Sequence, residues 1–356
     1  MTTYLLAGGG TAGHVNPLLA VADRIRDREP DATVLVLGTA EGLEARLVPQ
    51  RGYELLTIER LPFPRRPGRA ALQFPAKFRR AVAQTTRYIT ERNVDVVVGF
   101  GGYASAPAYL AARRAHVPLA IHEANARPGM ANRFGALFTP AVGVAFQSTR
   151  LRGSKLVGMP LRHEIESLDR AATRAEALSY FGLDPAKPVL LVTGGSLGAR
   201  KINATIASSI ALILGVGWQV LHIAGNRSEV EDPELPGYKL LLYCDRMDLA
   251  IAVADLAIAR SGAGTVSELT AVGVPAVYVP YPVGNGEQRF NAKDVVAAGG
   301  ALLVADATFT PEWVAAELLP LLRDRTTIAR MALSSGSVGT RDGADRMVDL
   351  LSAARN

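Results

Sequence analysis

Cysteine is almost missing: Cys244 stands alone in 356 residues, so no internal disulfide forms and a reducing compartment suits the chain. An export signal is also lacking. Met1-Thr2-Thr3 leads into an apolar run with no basic region or cleavage site, and secretion is not expected. The nearest imitation of a membrane span is the uncharged interval between Lys201 and Arg227. It contains Asn203, Ser208, Ser209, Gln219 and His222, and Gly215-Val216-Gly217 splits it into a helix and a strand, whereas a span needs about 20 predominantly apolar residues. No cluster of Asp or His appears at metal-binding spacing, so the expectation is a reaction run without a metal. Basic residues accompany no recognised nucleic-acid module, and nucleic acid is not expected as a partner.

What the chain has is length, apolar content and an uneven charge. Its 356 residues exceed the roughly 250–300 at which one core stops growing, and 49% hydrophobic residues suffice for two cores. Residues 1–157 carry 21 Lys and Arg against 11 Asp and Glu, a net +10, whereas the rest carry 18 against 22, a net −4. Much of the basic excess lies where Phe63, Arg65, Arg66, Arg69, Phe74, Lys77, Phe78, Arg79 and Arg80 interleave rings with cations. That mixture suits an anionic membrane surface. A solvated helix face beside a proline-rich loop explains it equally well.

Apolar runs of strand length alternate with helix-length segments from end to end. Residues 33–37, 94–98, 118–122 and 141–146 read as buried parallel strands, with helices near 16–28, 74–92 and 106–116. The theme repeats in strands at 189–193, 218–224, 240–243, 256–259 and 276–279. Helices are expected at 202–214, 265–272 and 291–298, and a further one starts at Thr310-Pro311-Glu312. Glycine and proline in Val157-Gly158-Met159-Pro160 interrupt both periodicities. The chain therefore reads as two α/β, doubly wound domains, 1–157 and 158–339, with a helix over about 340–356 packing back on the first.

The densest signal is a glycine-rich strand-to-helix turn that occurs twice, at Gly8-Gly9-Gly10-Thr11-Ala12-Gly13-His14 and at Gly194-Gly195-Ser196-Leu197-Gly198-Ala199-Arg200. Gly8, Gly10 and Gly13 match the dinucleotide pattern G-x-G-x-x-G, which makes an NAD-dependent oxidoreductase an alternative. Against it, the second strand ends in Gly38-Thr39 with no acidic residue for a ribose, and the nearest carboxylate is Glu41. In the second half, Gly194-Gly195-Ser196 offers amides and a hydroxyl at a helix start, a favourable seat for a diphosphate. The run from Arg260 to Glu268 ends a strand and opens a helix with a carboxylate placed to accept both hydroxyls of a ribose. Helix capping by Ser267 or Glu268 is the plainer account of the same residues. Glu287 and Gln288 bring a carboxylate and an amide to the same rim, suited to sugar hydroxyls.

Seven ordered motifs run nearly end to end: GGGTAGH at 8–14, GFGGY at 99–103, HEAN at 122–125, VGMPLR at 157–162, GGSLGAR at 194–200, RSGAGTVSE at 260–268 and EQRFNA at 287–292. Together they resemble the MurG family of glycosyltransferases. The resemblance implies two Rossmann-like domains facing a central cleft, the GT-B type, and no cofactor. It implies transfer of GlcNAc from UDP-GlcNAc to the 4-hydroxyl of MurNAc in undecaprenyl-pyrophosphoryl-MurNAc-pentapeptide (lipid I), giving lipid II for peptidoglycan. Another inverting UDP-sugar transfer is the alternative. By the same resemblance Thr11, Ala12, Gly13 and Asn125 lie beside the donor sugar, and Arg162 and Ser196 meet the nucleotide and its phosphates. Ala263, Gly264, Thr265, Val266, Ser267 and Glu268 hold diphosphate and ribose, Gln288 binds sugar hydroxyls, and uracil lies against the backbone at Cys244. Peripheral attachment to the anionic cytoplasmic face of the cell membrane, and contact with cell-wall synthesis proteins, are implied too. The chain departs from the family at Ala12, Met159, Cys244 and Glu287; at the last, a carboxylate only accepts hydrogen bonds where an amide also donates.

A β-1,4 bond made from an α-linked donor requires inversion, hence one in-line displacement with a base for the acceptor hydroxyl. His14 is the candidate base, since an imidazole with a reference pKa of about 6.5 accepts protons near neutrality. His122 and Glu123 are the alternatives. Helix N-termini at Ser196 and at Ala263 to Thr265, with Arg162, would neutralise the departing UDP.

Overall fold

Both sheets are parallel throughout, and each reverses its strand order once. The computed structural model describes residues 1–64, 66, 68–195, 198–283 and 286–355. It divides into one unit of Met1–Arg162 with Arg341–Asn356 and a second of His163–Thr340. The division falls at Arg162/His163, five residues past the interruption at 157/158.

The first unit contains β1 (Thr3–Ala7), α1 (Ala12–Arg28), β2 (Thr33–Gly38), α2 (Glu44–Gln50), β3 (Glu54–Thr57), α3 (Arg69–Glu91), β4 (Val96–Gly99), α4 (Ser105–Arg114), β5 (Leu119–Glu123), α5 (Met130–Gly135), β6 (Val142–Val144) and β7 (Ser154–Leu156). The second continues with α6 (His163–Glu166), α7 (Arg170–Phe181), β8 (Val189–Thr193), α8 (Arg200–Gly215), β9 (Gln219–Ile223), β10 (Tyr238–Leu241), α9 (Met247–Val253), β11 (Leu256–Ala259), α10 (Ala263–Ala271), β12 (Ala276–Tyr278), α11 (Glu287–Asn291), α12 (Lys293–Ala297) and β13 (Ala301–Leu303). It closes with α13 (Pro311–Trp313), a π-helical turn at Val314–Leu318, α14 (Leu319–Arg323) and α15 (Arg325–Val338); α16 (Gly343–Arg355) belongs to the first unit.

The first sheet runs β3-β2-β1-β4-β5-β6-β7 and the second β10-β9-β8-β11-β12-β13. Order reverses between β1 and β4, and between β8 and β11. Open α/β sheets bind ligands at such switch points, beyond the carboxyl ends of the strands. Both glycine turns lie there, one after β1 and one after β8.

Burial explains why the elements hold. Leu5, Leu6 and Ala7 of β1 and Val96, Val97 and Val98 of β4 are fully buried, as central strands covered on both faces must be. On one face α1 packs Val15, Leu18, Val21, Ala22 and Ile25, joined by Met347, Val348 and Leu351 of α16. The other face is covered by Ala81, Val82 and Ile89 of α3 and by Ala108, Tyr109, Ala111 and Ala112 of α4. In the second unit Ile202, Ile206, Ile210 and Ile213 of α8 form one apolar stripe at helical spacing. Each such side chain stabilises its unit by roughly 1.5–3 kcal/mol. The imitation of a membrane span is thus a buried helix followed by a buried strand, split at Gly217 (φ +83°). Among the described residues no helix is long and apolar enough to cross a membrane.

Candidate active site

In the first unit the glycine turn after β1 meets the Gly101-Gly102 turn after β4. A Cβ on Gly102 would come within 2.4 Å of the Gly9 carbonyl oxygen, and one on Gly101 within 3.0 Å of His14 Nε2, so only glycine lets the two turns approach. Thr11 precedes α1 in extended conformation, and its carbonyl accepts the Val15 amide at 3.0 Å. The half-buried His14 sits one turn into that helix, with Nδ1 3.2 Å from the Gly9 carbonyl oxygen and 3.2 Å from Thr11 Oγ1. A carbonyl only accepts, so the neutral ring carries its proton on Nδ1 and a lone pair on Nε2, the arrangement a general base needs. Desolvation holds His14 below its usual pKa, opposed by the Gly9 carbonyl and the Glu44 charge.

Glu44, which no sequence pattern singled out, braces this turn. Fully buried, its carboxylate accepts from the Gly10 amide at 2.8 Å, the Thr39 amide at 2.9 Å and Thr39 Oγ1 at 2.8 Å. A Cβ on Gly9 would lie 2.3 Å from its Oε1. A buried carboxylate therefore already holds one amide of the dinucleotide-like turn, which disfavours a pyrophosphate there on charge and weighs against the oxidoreductase alternative.

The other candidate bases are enclosed. His122 has no exposed surface, its Nε2 lies 3.0 Å from the Gly158 carbonyl oxygen, and burial depresses its pKa to about 4. Glu123 is 2% exposed and accepts from the Asn125 amide (2.8 Å), the Gly129 amide (2.9 Å) and Asn132 Nδ2 (2.9 Å). Burial raises its pKa while those three donors pull it back down. Asn132, also unread in the sequence, bonds the His122 carbonyl (3.1 Å) and receives the Tyr109 hydroxyl (2.6 Å), so Glu123 anchors α5. Asn125 is partly exposed beside it, and Thr11, Ala12 and Gly13 are exposed at the start of α1.

In the second unit, Ser196 lies outside the described residues. Around it Gly194 and Gly198 are required: a Cβ would fall 2.4 Å from the Ala199 nitrogen and 2.2 Å from the Ala224 carbonyl oxygen respectively. The next turn of the same rim is held by Arg260, which donates to the Val279 carbonyl (2.9 Å) and the Pro280 carbonyl (3.1 Å) and pairs with Asp306 (2.5 Å). From there Gly262 caps α10 with extended backbone and no side-chain hydrogen bond. The capping account of Ser267 and Glu268 does not hold at that N-cap. The first amides of α10, from Ala263, Gly264 and Thr265, thus form an N-terminus suited to an anion, with Glu268 partly exposed one turn on. Val266 and Ser267 are buried. Gln288 Oε1 accepts the Tyr281 amide at 3.0 Å, which leaves its NH2 group as the donor it offers a ligand. Cys244 is 8% exposed and burial pushes its thiol up to about 11, so it presents backbone and an unreactive sulfur. Arg162 closes the first unit, partly exposed.

Arg65 lies outside the described residues. Arg69 opens α3, which starts five residues before the expected 74, and Arg66, Arg69, Arg79, Arg80 and Leu72 are exposed. Lys77 pairs with Glu59. Phe63 packs edge-on to Phe74, Phe74 stacks on Phe78, and all three line a cavity that reaches His14.

Residues 4–144 match the glycosyltransferase family 28 N-terminal domain and residues 189–347 the family 28 C-terminal domain. The chain is 66% identical over 351 residues to the UDP-N-acetylglucosamine--N-acetylmuramyl-(pentapeptide) pyrophosphoryl-undecaprenol N-acetylglucosamine transferase of Leifsonia xyli, covering 99% of this chain and 98% of that one. It is 63% identical over 352 residues to the enzyme of the same name from Clavibacter michiganensis (99% and 96%). Among solved structures it is similar to Acinetobacter baumannii MurG, with a TM-score of 0.82 at 30% identity over 99% of this chain and 100% of that one. A UDP-GlcNAc 2-epimerase from Neisseria meningitidis shares the fold, with a TM-score of 0.70 at 13% identity over 99% of this chain and 100% of that one.

Proposed function

The chain belongs to glycosyltransferase family 28, and from that premise we propose that it transfers GlcNAc from UDP-GlcNAc to the MurNAc 4-hydroxyl of a pentapeptide-bearing pyrophosphoryl-undecaprenol acceptor. The identity of both substrates rests on the names of relatives that match 99% of this chain. The division of labour is supported by one observation: a buried carboxylate, Glu44, already holds the Gly10 amide of the first glycine turn, which disfavours a nucleotide diphosphate there. The donor diphosphate is accordingly assigned to the second unit, and the first glycine turn meets the acceptor's sugar hydroxyl rather than the acceptor's own diphosphate.

His14 Nε2 takes the proton of the acceptor hydroxyl. The oxygen lone pair forms the new bond to the anomeric carbon from the face opposite the diphosphate. The old carbon–oxygen bond breaks, and UDP leaves with its electron pair. Amides and dipole at the start of α10 stabilise the charge that gathers on the departing oxygen. Glu268 accepts the ribose hydroxyls, Gln288 donates to the sugar, the backbone at Cys244 faces uracil, and Arg162 and Ser196 meet the phosphates. Thr11, Ala12, Gly13 and Asn125 border the sugar. The transfer is proposed to need no metal, the charge of the leaving diphosphate being met by the α10 amides and Arg162. Attachment to the cytoplasmic face of the membrane is peripheral, through the exposed cations of α3 and the loop before it, and other cell-wall synthesis proteins are partners there.

Transfer of labelled GlcNAc to a lipid I analogue, in excess EDTA, tests the reading. Turnover is expected with and without chelator. Absence of transfer to any polyprenyl acceptor overturns the function, and loss with EDTA alone overturns the metal-free mechanism.

A further inference from the structure

The first unit holds a cavity of about 620 Å³ whose lining has two characters. At the switch point its wall is polar, formed by Thr11, His14, Glu123 and Asn125. Away from it, the wall is formed by Leu61 and Phe63 from the loop after β3, Phe74 and Phe78 of α3, and Met130 and Phe134 of α5. The rings brace one another, with Phe63 edge-on to Phe74 at 5.5 Å and Phe74 stacked on Phe78 at 5.7 Å. Phe63 is 57% exposed and Met130 62%, so the apolar side opens to solvent there, while Phe74 and Phe78 are partly buried.

A membrane-inserting patch turns its rings outward, toward many lipid chains at once. Here Phe74 and Phe78 are partly buried and border a space of single-ligand size, continuous with the groups proposed to activate the acceptor hydroxyl, with the more exposed Phe63 at its rim. The exposed cations Arg66, Arg69, Arg79 and Arg80 are left to face an anionic surface, so attachment and apolar recognition use different side chains. A molecule filling such a space carries a polar head and a slender apolar chain. An acceptor in which a diphosphate joins a sugar to a polyprenol has that form.

We propose that this cavity is a binding site for the isoprene units nearest the acceptor diphosphate, with Phe74 and Phe78 as its walls. The enzyme thereby draws the first part of the lipid chain out of the bilayer and reads it. This rests on the acceptor reading above, and it adds that lipid structure is recognised by the protein itself.

Calorimetric titration of the full chain, without donor or vesicles, tests it with geranylgeranyl diphosphate and isopentenyl diphosphate as probes. The two share a headgroup and differ in chain. Wild type should bind the longer chain at least about tenfold more tightly, since each buried methylene adds to affinity. In Phe74→Ala/Phe78→Ala that ratio should fall to near one. Should the double variant fail to melt cooperatively, Ala106→Leu, which fills the cavity from α4, should give the same loss of ratio. Equal binding of the two probes by wild type, or a chain-length ratio that survives both variants, overturns the proposal. The readout needs no turnover, so its failure is distinct from absence of GlcNAc transfer, which would overturn the function instead.

Discussion

The Glu44 carboxylate holds the Gly10 amide at 2.8 Å, and through that peptide it sets the Gly9 carbonyl that orients His14. Removing it leaves the Thr39 amide unanswered in a buried space, at about 1–3 kcal/mol, and takes the partner from the Gly10 amide at a partly exposed site. Glu44→Ala should therefore lower stability by roughly 2–5 kcal/mol and slow turnover well beyond what the stability loss explains. Urea unfolding and single-turnover transfer measure the two effects. Wild-type turnover in folded Glu44→Ala would show that the brace does not serve the base.

Glu44 also marks where sequence reading stops. Its three hydrogen bonds come from Gly10 and Thr39, which follow β1 and β2, and an acidic residue six positions past a strand has no periodic signature. The central strands were legible because burial on both faces demands unbroken apolar runs. Edge strands carry no such demand: β3 and β7 offer no apolar run to read, β13 lies in a short apolar run at 301–305 that the strand reading passes over, and β10 begins two residues earlier than its run suggests. The glycine turns could be placed from spacing alone. That one of them is closed by its own carboxylate could not, and neither could the inward turn of Phe74 and Phe78, because helical spacing does not say which neighbour faces a ring.

His14→Gln should lower kcat by about 10²-fold or more while leaving the UDP-GlcNAc KM near wild type, as expected for a group acting on the acceptor proton. Burial depresses the His14 pKa, so the base is deprotonated at and above about pH 6.5 and the acid limb of kcat/KM should lie below that value. The Glu44 charge opposes the depression. Glu44→Gln should then move the limb to still lower pH, and superimposable profiles would remove His14 from the mechanism.

Glu268→Ala should weaken UDP-GlcNAc binding, measured calorimetrically, by roughly 10- to 100-fold, the worth of one or two hydrogen bonds to a charged acceptor at about 1.5–3 kcal/mol. UDP should lose affinity equally, since the ribose is common to both. A variant that binds UDP as wild type does places the ribose elsewhere.

Replacing Arg66, Arg69, Arg79 and Arg80 together by Ser should cut association with anionic vesicles at least tenfold, because each cation near such a surface contributes about 1 kcal/mol. High salt should do the same to wild type. Co-sedimentation that persists in the variant at high salt would assign attachment to apolar contacts instead.

His222 has no exposed surface, lies 2.7 Å from the Tyr238 hydroxyl and 3.1 Å from Asn203 Oδ1, and burial depresses its pKa to about 4. Unfolded, it titrates near 6.5. Between those values the unfolded chain takes up a proton that the folded chain refuses, so the stability contributed is complete above about pH 6.5 and is lost as pH falls toward 4. At 1.36 kcal/mol per unit the loss from pH 6.5 to 5 is about 2 kcal/mol, and that window stays above the titration of most carboxylates. Trp218 and Trp313, the chain's two tryptophans, both belong to the second unit, so their fluorescence follows the unit that contains His222. The urea midpoint read from tryptophan should fall steadily across that window. A midpoint that stays constant would mean that His222 is protonated in the folded unit, and the Tyr238 and Asn203 bonds would then have to be redrawn around a cation.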